Sequence, residues 1–157
     1  MNVPGMDRMW PVVTRGGDLH VRMYRRTGGR IGGRFFFVGR QRIALVDHVG
    51  ARSGTHRTVA LIYLPDGEDL VIVASKGGHP KHPAWFHNLK ANPDTTVQVG
   101  KELRKVTAQV ATTDQRERLW PLLVDLYPSY ADYQRKADRE IPVVMLRPRG
   151  ARVADSA

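Results

Sequence analysis

The stretch RTVALIYLPDGEDLVIVA, Arg57 to Ala74, decides the fold. β-branched and aliphatic residues fill both halves, and Pro65-Asp66-Gly67 between them supplies the Asp-Gly pair favoured in tight hairpins. It predicts two strands of an antiparallel sheet, Arg57 to Leu64 and Asp69 to Ala74. Upstream, Arg42 to Val49 has the same character and adds a strand. Downstream, Pro83 suits the first turn of a helix that places Trp85, Phe86 and Leu89 on one face and ends at Asn92-Pro93. Thr95 to Val99 and Leu103 to Ala111 then alternate apolar and polar residues about a Gly100-Lys101 turn, as half-buried strands do.

The outer regions read differently. Thr113 is a candidate N-cap for a helix through Trp120 and Leu123, and Ser129 with Asp132 resembles a capping box opening a second helix. Pro142 to Leu146 predicts a short closing strand, followed by a loose polar tail over 149–157. Residues 1–27 interleave Met6, Met9, Trp10, Val12, Val13, Leu19, Val21, Met23 and Tyr24 with five arginines around Gly16-Gly17, which predicts two short amphipathic helical pieces. Gly28 to Arg34 carries too many glycines for a helix interior, at about 1 kcal/mol each relative to alanine, and reads as a loop. Strands with helices inserted late indicate an α+β domain built on a small barrel over 28–148.

Composition narrows the function. The 157 residues suit one core, and 25 Lys+Arg against 15 Asp+Glu leave a net charge of +10, a field that favours anionic ligands. There is no cysteine, which suits a reducing cytoplasm and removes thiolate nucleophiles and thiolate metal sites. No run of about 18 apolar residues is present to cross a bilayer. Redox chemistry would need a borrowed cofactor.

Two basic loops are the candidate sites. Gly50-Ala51-Arg52-Ser53-Gly54-Thr55-His56-Arg57 joins glycines that let a ligand approach the backbone to cationic and hydroxyl donors, a pattern that suits phosphate and also fits an ordinary hairpin loop. Ala74-Ser75-Lys76-Gly77-Gly78-His79-Pro80-Lys81-His82-Pro83 leads into a helix, where lysine and exposed amides can hold an anion at the positive end of the dipole. Beside them, His87 and Asn88 offer polar contacts. Tyr127, Tyr130 and Tyr133 recur every third residue and suit either the capping of an aromatic ligand or simple packing. His79, His82 and His87 lack a nearby Cys, Asp or Glu to complete a metal site, so no metal is expected.

These segments, with Pro83 to Pro93, Tyr127 to Tyr133 and Ile141 to Val144, resemble in order and spacing the deazaflavin-dependent nitroreductases of actinobacteria, over roughly residues 20–148. The resemblance implies a split β-barrel of the FMN-binding type with helices packed outside. It also implies coenzyme F420, a 5-deazaflavin with an anionic phospholactyl and polyglutamate tail, and hydride transfer from its reduced form to an organic acceptor. Carried over by position, Ala51, Arg52, Ser53 and Arg57 would hold the phosphate and acidic tail. Val73, Ala74, Ser75 and Lys76 would run along the deazaflavin, and Ala84, Trp85, Phe86, His87 and Asn88 would complete the pocket. Tyr130 would close over the ring, with Ser75, Tyr130 and Tyr133 as catalytic candidates and Ile62, Tyr127 and Tyr133 on the acceptor side.

Two departures bear on the acceptor: Ile62 stands where a nitroreductase-active member carries tyrosine, and Ala51 replaces a common basic residue. Both move the expectation from nitroimidazoles toward quinones or other conjugated acceptors. The N-terminal segment is expected to pack on the barrel, and its basic amphipathic character also fits contact with the inner face of a membrane. The alternatives are a protein that binds deazaflavin or FMN without reducing anything, or a nucleic-acid-binding protein. The latter is disfavoured because the basic residues lie in loops rather than on an aromatic-studded sheet face.

Overall fold

A computed structural model describes residues 19, 21–28 and 42–149. The first expected N-terminal helical piece, most of the glycine-rich loop and residues 150–157 lie outside them. The second piece is helical over 21–27, here α1. The other elements are β1 (Ile43–Val49), β2 (His56–Ile62), β3 (Leu64–Asp66), β4 (Asp69–Val73), α2 (Ala84–Ala91), β5 (Asp94–Val99), β6 (Glu102–Val110), α3 (Thr113–Leu126), α4 (Ser129–Lys136) and β7 (Val143–Pro148).

All seven strands form one antiparallel sheet in the order β2-β1-β5-β6-β7-β4-β3. The stretch that predicts two strands therefore divides into three. Residues 57–64 break at Tyr63: β2 pairs with β1 at one edge of the sheet, whereas β3 pairs with β4 at the other. A single residue between the two edges forces the sheet to curl until they meet, which makes it a split barrel. Tyr63 is buried at the bend and its N–H donates to Arg42 O at 3.2 Å. The β3–β4 turn is shifted by one residue from the expected Asp-Gly pair. Asp66 pairs with Asp69, so the two-residue loop is Gly67-Glu68, with Gly67 at φ 60° as a primed hairpin turn requires.

Alternation along the strands builds two apolar layers. Ala44, Val46, Leu70, Ile72, Val97, Val106, Val144 and Leu146 point inward, where Trp85, Phe86 and Leu89 of α2 join them. The intervening residues Val71, Val73, Val143 and Met145 point outward and are covered by Leu119 and Leu123 of α3, Tyr130 of α4 and Ile141. This two-sided burial is why β4 and β7 read as unbroken apolar runs. Each fully buried aliphatic side chain contributes about 1.5–3 kcal/mol. A third cluster seats α1 on β1: Tyr24 packs on Ile43 and Leu45, donates to Ile43 O at 3.0 Å and accepts from Gly100 N at 2.6 Å.

Helix starts correct the expected caps. The α3 N-cap is Thr112 rather than Thr113: its Oγ1 accepts from Gln115 N at 3.3 Å while Gln115 Oε1 accepts from Thr112 N at 2.9 Å. At α4, Pro128 is the N-cap and no side chain caps it, since proline has neither an N–H nor a side-chain acceptor, and Asp132 pairs with Arg135. The closing strand runs on to Pro148, and Arg149, the start of the expected loose tail, still donates through its N–H to Lys105 O at 2.9 Å.

Candidate functional site

Both basic loops meet α2. The first follows β1 and is closed by backbone bonds, Gly50 N to Thr55 O and Gly54 N to Gly50 O, both 2.9 Å. Ser53 Oγ accepts from Thr55 N at 3.2 Å, and it would lie 2.3 Å from a Cβ placed at Gly50, so any other residue there must displace the Ser53 hydroxyl. Ala51, Arg52, Ser53 and Arg57 are all exposed, and neither arginine has a carboxylate partner among the described residues. Two guanidinium groups without carboxylate partners among the described residues, one on the tight loop and one at the start of β2, suit a polyanion, and guanidinium is the cation matched in geometry to phosphate and carboxylate.

Asn88 anchors this loop from α2. Its Oδ1 accepts from Ala51 N at 2.9 Å, which fixes the amide orientation, so Nδ2 faces His48 Nδ1 at 3.0 Å as donor. His48 is buried and must therefore be neutral with its proton on Nε2. Asn88, placed by sequence among the ligand contacts, thus has its amide engaged within the protein and anchors the Gly50–Arg57 loop.

The second loop leaves β4. Val73 and Ala74 bury their side chains, so they offer the loop only backbone, and Ala74 N donates to Pro142 O at 3.0 Å. Ser75 is 9% exposed and precedes a single 3-10 turn, Lys76–Gly78. Lys76 has φ 45°, the one positive φ outside glycine among the described residues. Such strain costs on the order of 1–2 kcal/mol and is characteristic of functional loops. Along α2, Ala84 and His87 are exposed between the two loops, whereas Trp85 and Phe86 are core. The sequence-predicted pocket residues therefore divide: Ala84 and His87 face out, and Trp85 and Phe86 hold the helix in place.

The tyrosines gather beside the second loop, since α4 packs on the 3-10 turn. Tyr127 and Tyr133 share a hydroxyl–hydroxyl bond of 3.1 Å, and Tyr130 is buried edge-on to Tyr127 at 4.8 Å. Their hydroxyls are less available than the spacing implied. Burial raises the Tyr130 phenol above its ordinary value of 10.0, with Tyr127 and Tyr133 adding to the effect. Tyr133 is pushed up to about 12, by burial first and then by its bond to Tyr127. These phenols stay protonated at working pH and can donate protons rather than remove them. Ile62 lies elsewhere, in the cluster under α1 with Tyr24 and Ile43.

Arg139 and His48 were not read as site residues. Arg139 sits in an unpatterned stretch between α4 and β7, and a lone arginine in a chain with 25 basic residues gives no signal. Among the described residues no three His, Asp or Glu side chains converge as a metal site. His79 Nδ1 accepts from Lys81 N at 3.0 Å and His82 Nδ1 faces Arg139 at 2.8 Å.

The histidines make the site acid-sensitive. His48 is held below its ordinary 6.5 by burial first and by Arg57 second, against an opposing pull from Asp47. His82 is lowered by burial, then by Arg139, His87 and Lys90. A base whose folded pKa is depressed binds fewer protons folded than unfolded. Its contribution is therefore complete above 6.5 and is lost as pH falls through the folded pKa. Wild-type Tm should thus fall between about pH 7.5 and pH 5.5, and His48→Gln, which keeps an acceptor for Asn88, should flatten that fall. Equal falls in the two proteins would assign the acid loss to other groups.

Residues 18–148 match the F420H(2)-dependent quinone reductase family. The chain is 42% identical over 131 residues to an F420H(2)-dependent quinone reductase of Mycobacterium tuberculosis, covering 82% of this chain and 87% of that protein. A solved F420-H2 dependent reductase superposes with TM-score 0.62 at 44% identity, over 67% of this chain and 93% of the other. A second solved structure, described as a domain-swapped dimer, superposes with TM-score 0.64 at 38% identity, over 83% and 95%.

Proposed function

This chain belongs to the F420H(2)-dependent quinone reductase family, and from that premise we propose that its two basic loops and tyrosine cluster carry hydride transfer from reduced coenzyme F420 to a quinone or another conjugated organic acceptor. The carrying observation is that α2 ties both loops to one surface, with Arg52 and Arg57, which have no carboxylate partner among the described residues, at one end and strained Lys76 at the other. The donor set fits the cofactor: Arg52, Ser53 and Arg57 would hold the phosphate and acidic tail, and Ser75, Lys76, Ala84 and His87 would border the ring and its linker.

When bound, the reduced deazaflavin supplies the hydride, because carbon at the position of flavin N5 favours two-electron transfer. The protein supplies the rest. The guanidinium groups and Lys76 orient the cofactor by its charge, and apolar packing of the tyrosines keeps water from the reacting face. A protonated Tyr130 or Ser75 hydroxyl would donate to the oxygen that gains negative charge as the acceptor is reduced.

The test follows oxidation of reduced F420 by absorbance with a quinone and nitroaromatic panel. Turnover of quinones is expected, and the absence of binding at micromolar cofactor would refute the assignment. Lys76→Ala should weaken cofactor binding by about 1–3 kcal/mol, the scale of a charge-assisted hydrogen bond. Unchanged affinity would make Lys76 a solvated surface residue.

A further inference from the structure

The loop between β4 and α2 is organised by one side chain from outside it. Arg139, between α4 and β7, directs its guanidinium into the loop. Nη1 and Nη2 each lie 3.3 Å from Ala74 O, Nη2 also donates to Ser75 O at 3.1 Å and Lys81 O at 3.4 Å, and Nε donates to His79 O at 3.1 Å. Nη1 further lies 2.8 Å from His82 Nδ1. A guanidinium is always protonated and only donates, so His82 must accept with its own proton on Nε2. Among the described residues no carboxylate takes part. The positive charge is met by carbonyl dipoles and the His82 ring nitrogen, although burial lowers the Arg139 pKa.

Arg139 is itself held. Gln134 of α4 donates from Nε2 to Arg139 O at 2.8 Å, while its Oε1 accepts from Ile141 N at 2.9 Å and Arg116 Nη2 at 3.0 Å. The planar fork thus arrives from a fixed base. Its acceptors span residues 74–82, and between the first two and the rest stands Lys76 with φ 45°. Two backbone bonds within the loop, Gly78 N to Ser75 O and His79 N to Lys76 O, leave such a residue room to relax. Fixing the carbonyls on both sides prevents it.

We propose that Arg139 is a positioning residue: its guanidinium holds the Ala74–His82 loop in the conformation that presents Ser75 and Lys76 to the cofactor. This rests on the reading that the loop holds reduced F420. A fork of several parallel bonds to carbonyls is something lysine cannot reproduce, so charge alone does not suffice. The frame exists before the ligand arrives, which lowers the ordering cost of binding.

The test uses the full chain as wild type, Arg139→Ala and Arg139→Lys. In cofactor-free protein, hydrogen exchange at the Gly78 and His79 amides should accelerate about 10-fold or more in both variants, while sheet amides such as Ala108 and Ala111 keep their protection. F420 affinity, followed by cofactor fluorescence, should weaken about 10- to 100-fold in both. Added guanidinium ion should restore part of it in Arg139→Ala but not in Arg139→Lys. Unchanged loop exchange, or variant affinity equal to wild type, overturns the proposal. Failure of the wild type itself to bind F420 refutes the cofactor reading instead, and the exchange data still decide whether Arg139 orders the loop. If Arg139→Ala does not fold, the Arg139→Lys comparison decides alone.

Discussion

Replacing Asn88 by leucine is expected to lower stability by about 2–4 kcal/mol and to weaken cofactor binding, though the residue need not touch the cofactor. The size follows from two losses at once. Asn88 Oδ1 is the acceptor for Ala51 N and Nδ2 the donor to buried His48, so leucine leaves both without partners. Buried His48 left unsatisfied costs about 1–3 kcal/mol, Ala51 N on its exposed loop loses only the net worth of a bond, about 0.5–1.5 kcal/mol, and leucine regains some apolar contact. The freed loop then no longer holds Arg52 and Arg57 together, which converts a stability loss into an affinity loss. Urea denaturation and an F420 titration measure the two. Asn88→Asp separates them further: a carboxylate still accepts from Ala51 but cannot donate to His48, so it should retain more cofactor affinity than leucine. Wild-type stability in Asn88→Leu would show that the loop stands without this anchor.

A comparable loss is expected for Gly78→Ala, about 2–4 kcal/mol from left-handed strain and overpacking together. Gly78 has φ +82°, and a Cβ there would lie 2.9 Å from Tyr133 O and 3.2 Å from Tyr133 Cα and Lys136 Cβ. Two of those atoms are backbone of α4 and cannot rotate away. Gly77 is the internal control, since it has φ +62° but nothing within 4 Å of the same position, so Gly77→Ala should cost only about 1–2 kcal/mol. The functional consequence is specific to Gly78. It is where the loop carrying Ser75 meets the helix carrying Tyr130 and Tyr133, so forcing them apart should slow turnover more than Gly77→Ala does. Equal stability losses at the two glycines would mean that α4 shifts freely, and that its tyrosines are not held against the loop.

The candidate loops were legible in the sequence because their signals are local. A glycine beside arginine and serine, or a lysine between a strand and a proline-marked helix start, needs no distant partner to be read. The strands and α2 were legible for the same reason, through alternation and helical spacing. Cap positions at Thr112 and Pro128 were missed by one residue: two threonines compete at the first, where only the geometry of Gln115 selects between them, and at the second the cap is a proline to which no side chain bonds. Tyr127, Tyr130 and Tyr133 showed their spacing but not that two of their hydroxyls bond each other while the third ring is core.

By itself the sequence determined the kind of protein: an antiparallel barrel with inserted helices, a basic surface suited to an anionic cofactor, and the family to which such loops belong. Only the tertiary structure decided how the loops work together. The break at Tyr63 sends two halves of one apolar run to opposite sheet edges, because β2 finds its hydrogen-bond partner in β1 and β3 finds its own in β4. Asn88 and Arg139 acquire their roles from partners 37 and up to 65 residues away, Ala51 and Ala74 respectively. A side chain that organises distant backbone through hydrogen bonds leaves no periodicity behind it, since the bonds depend on where the chain returns in space and not on what stands beside it in sequence.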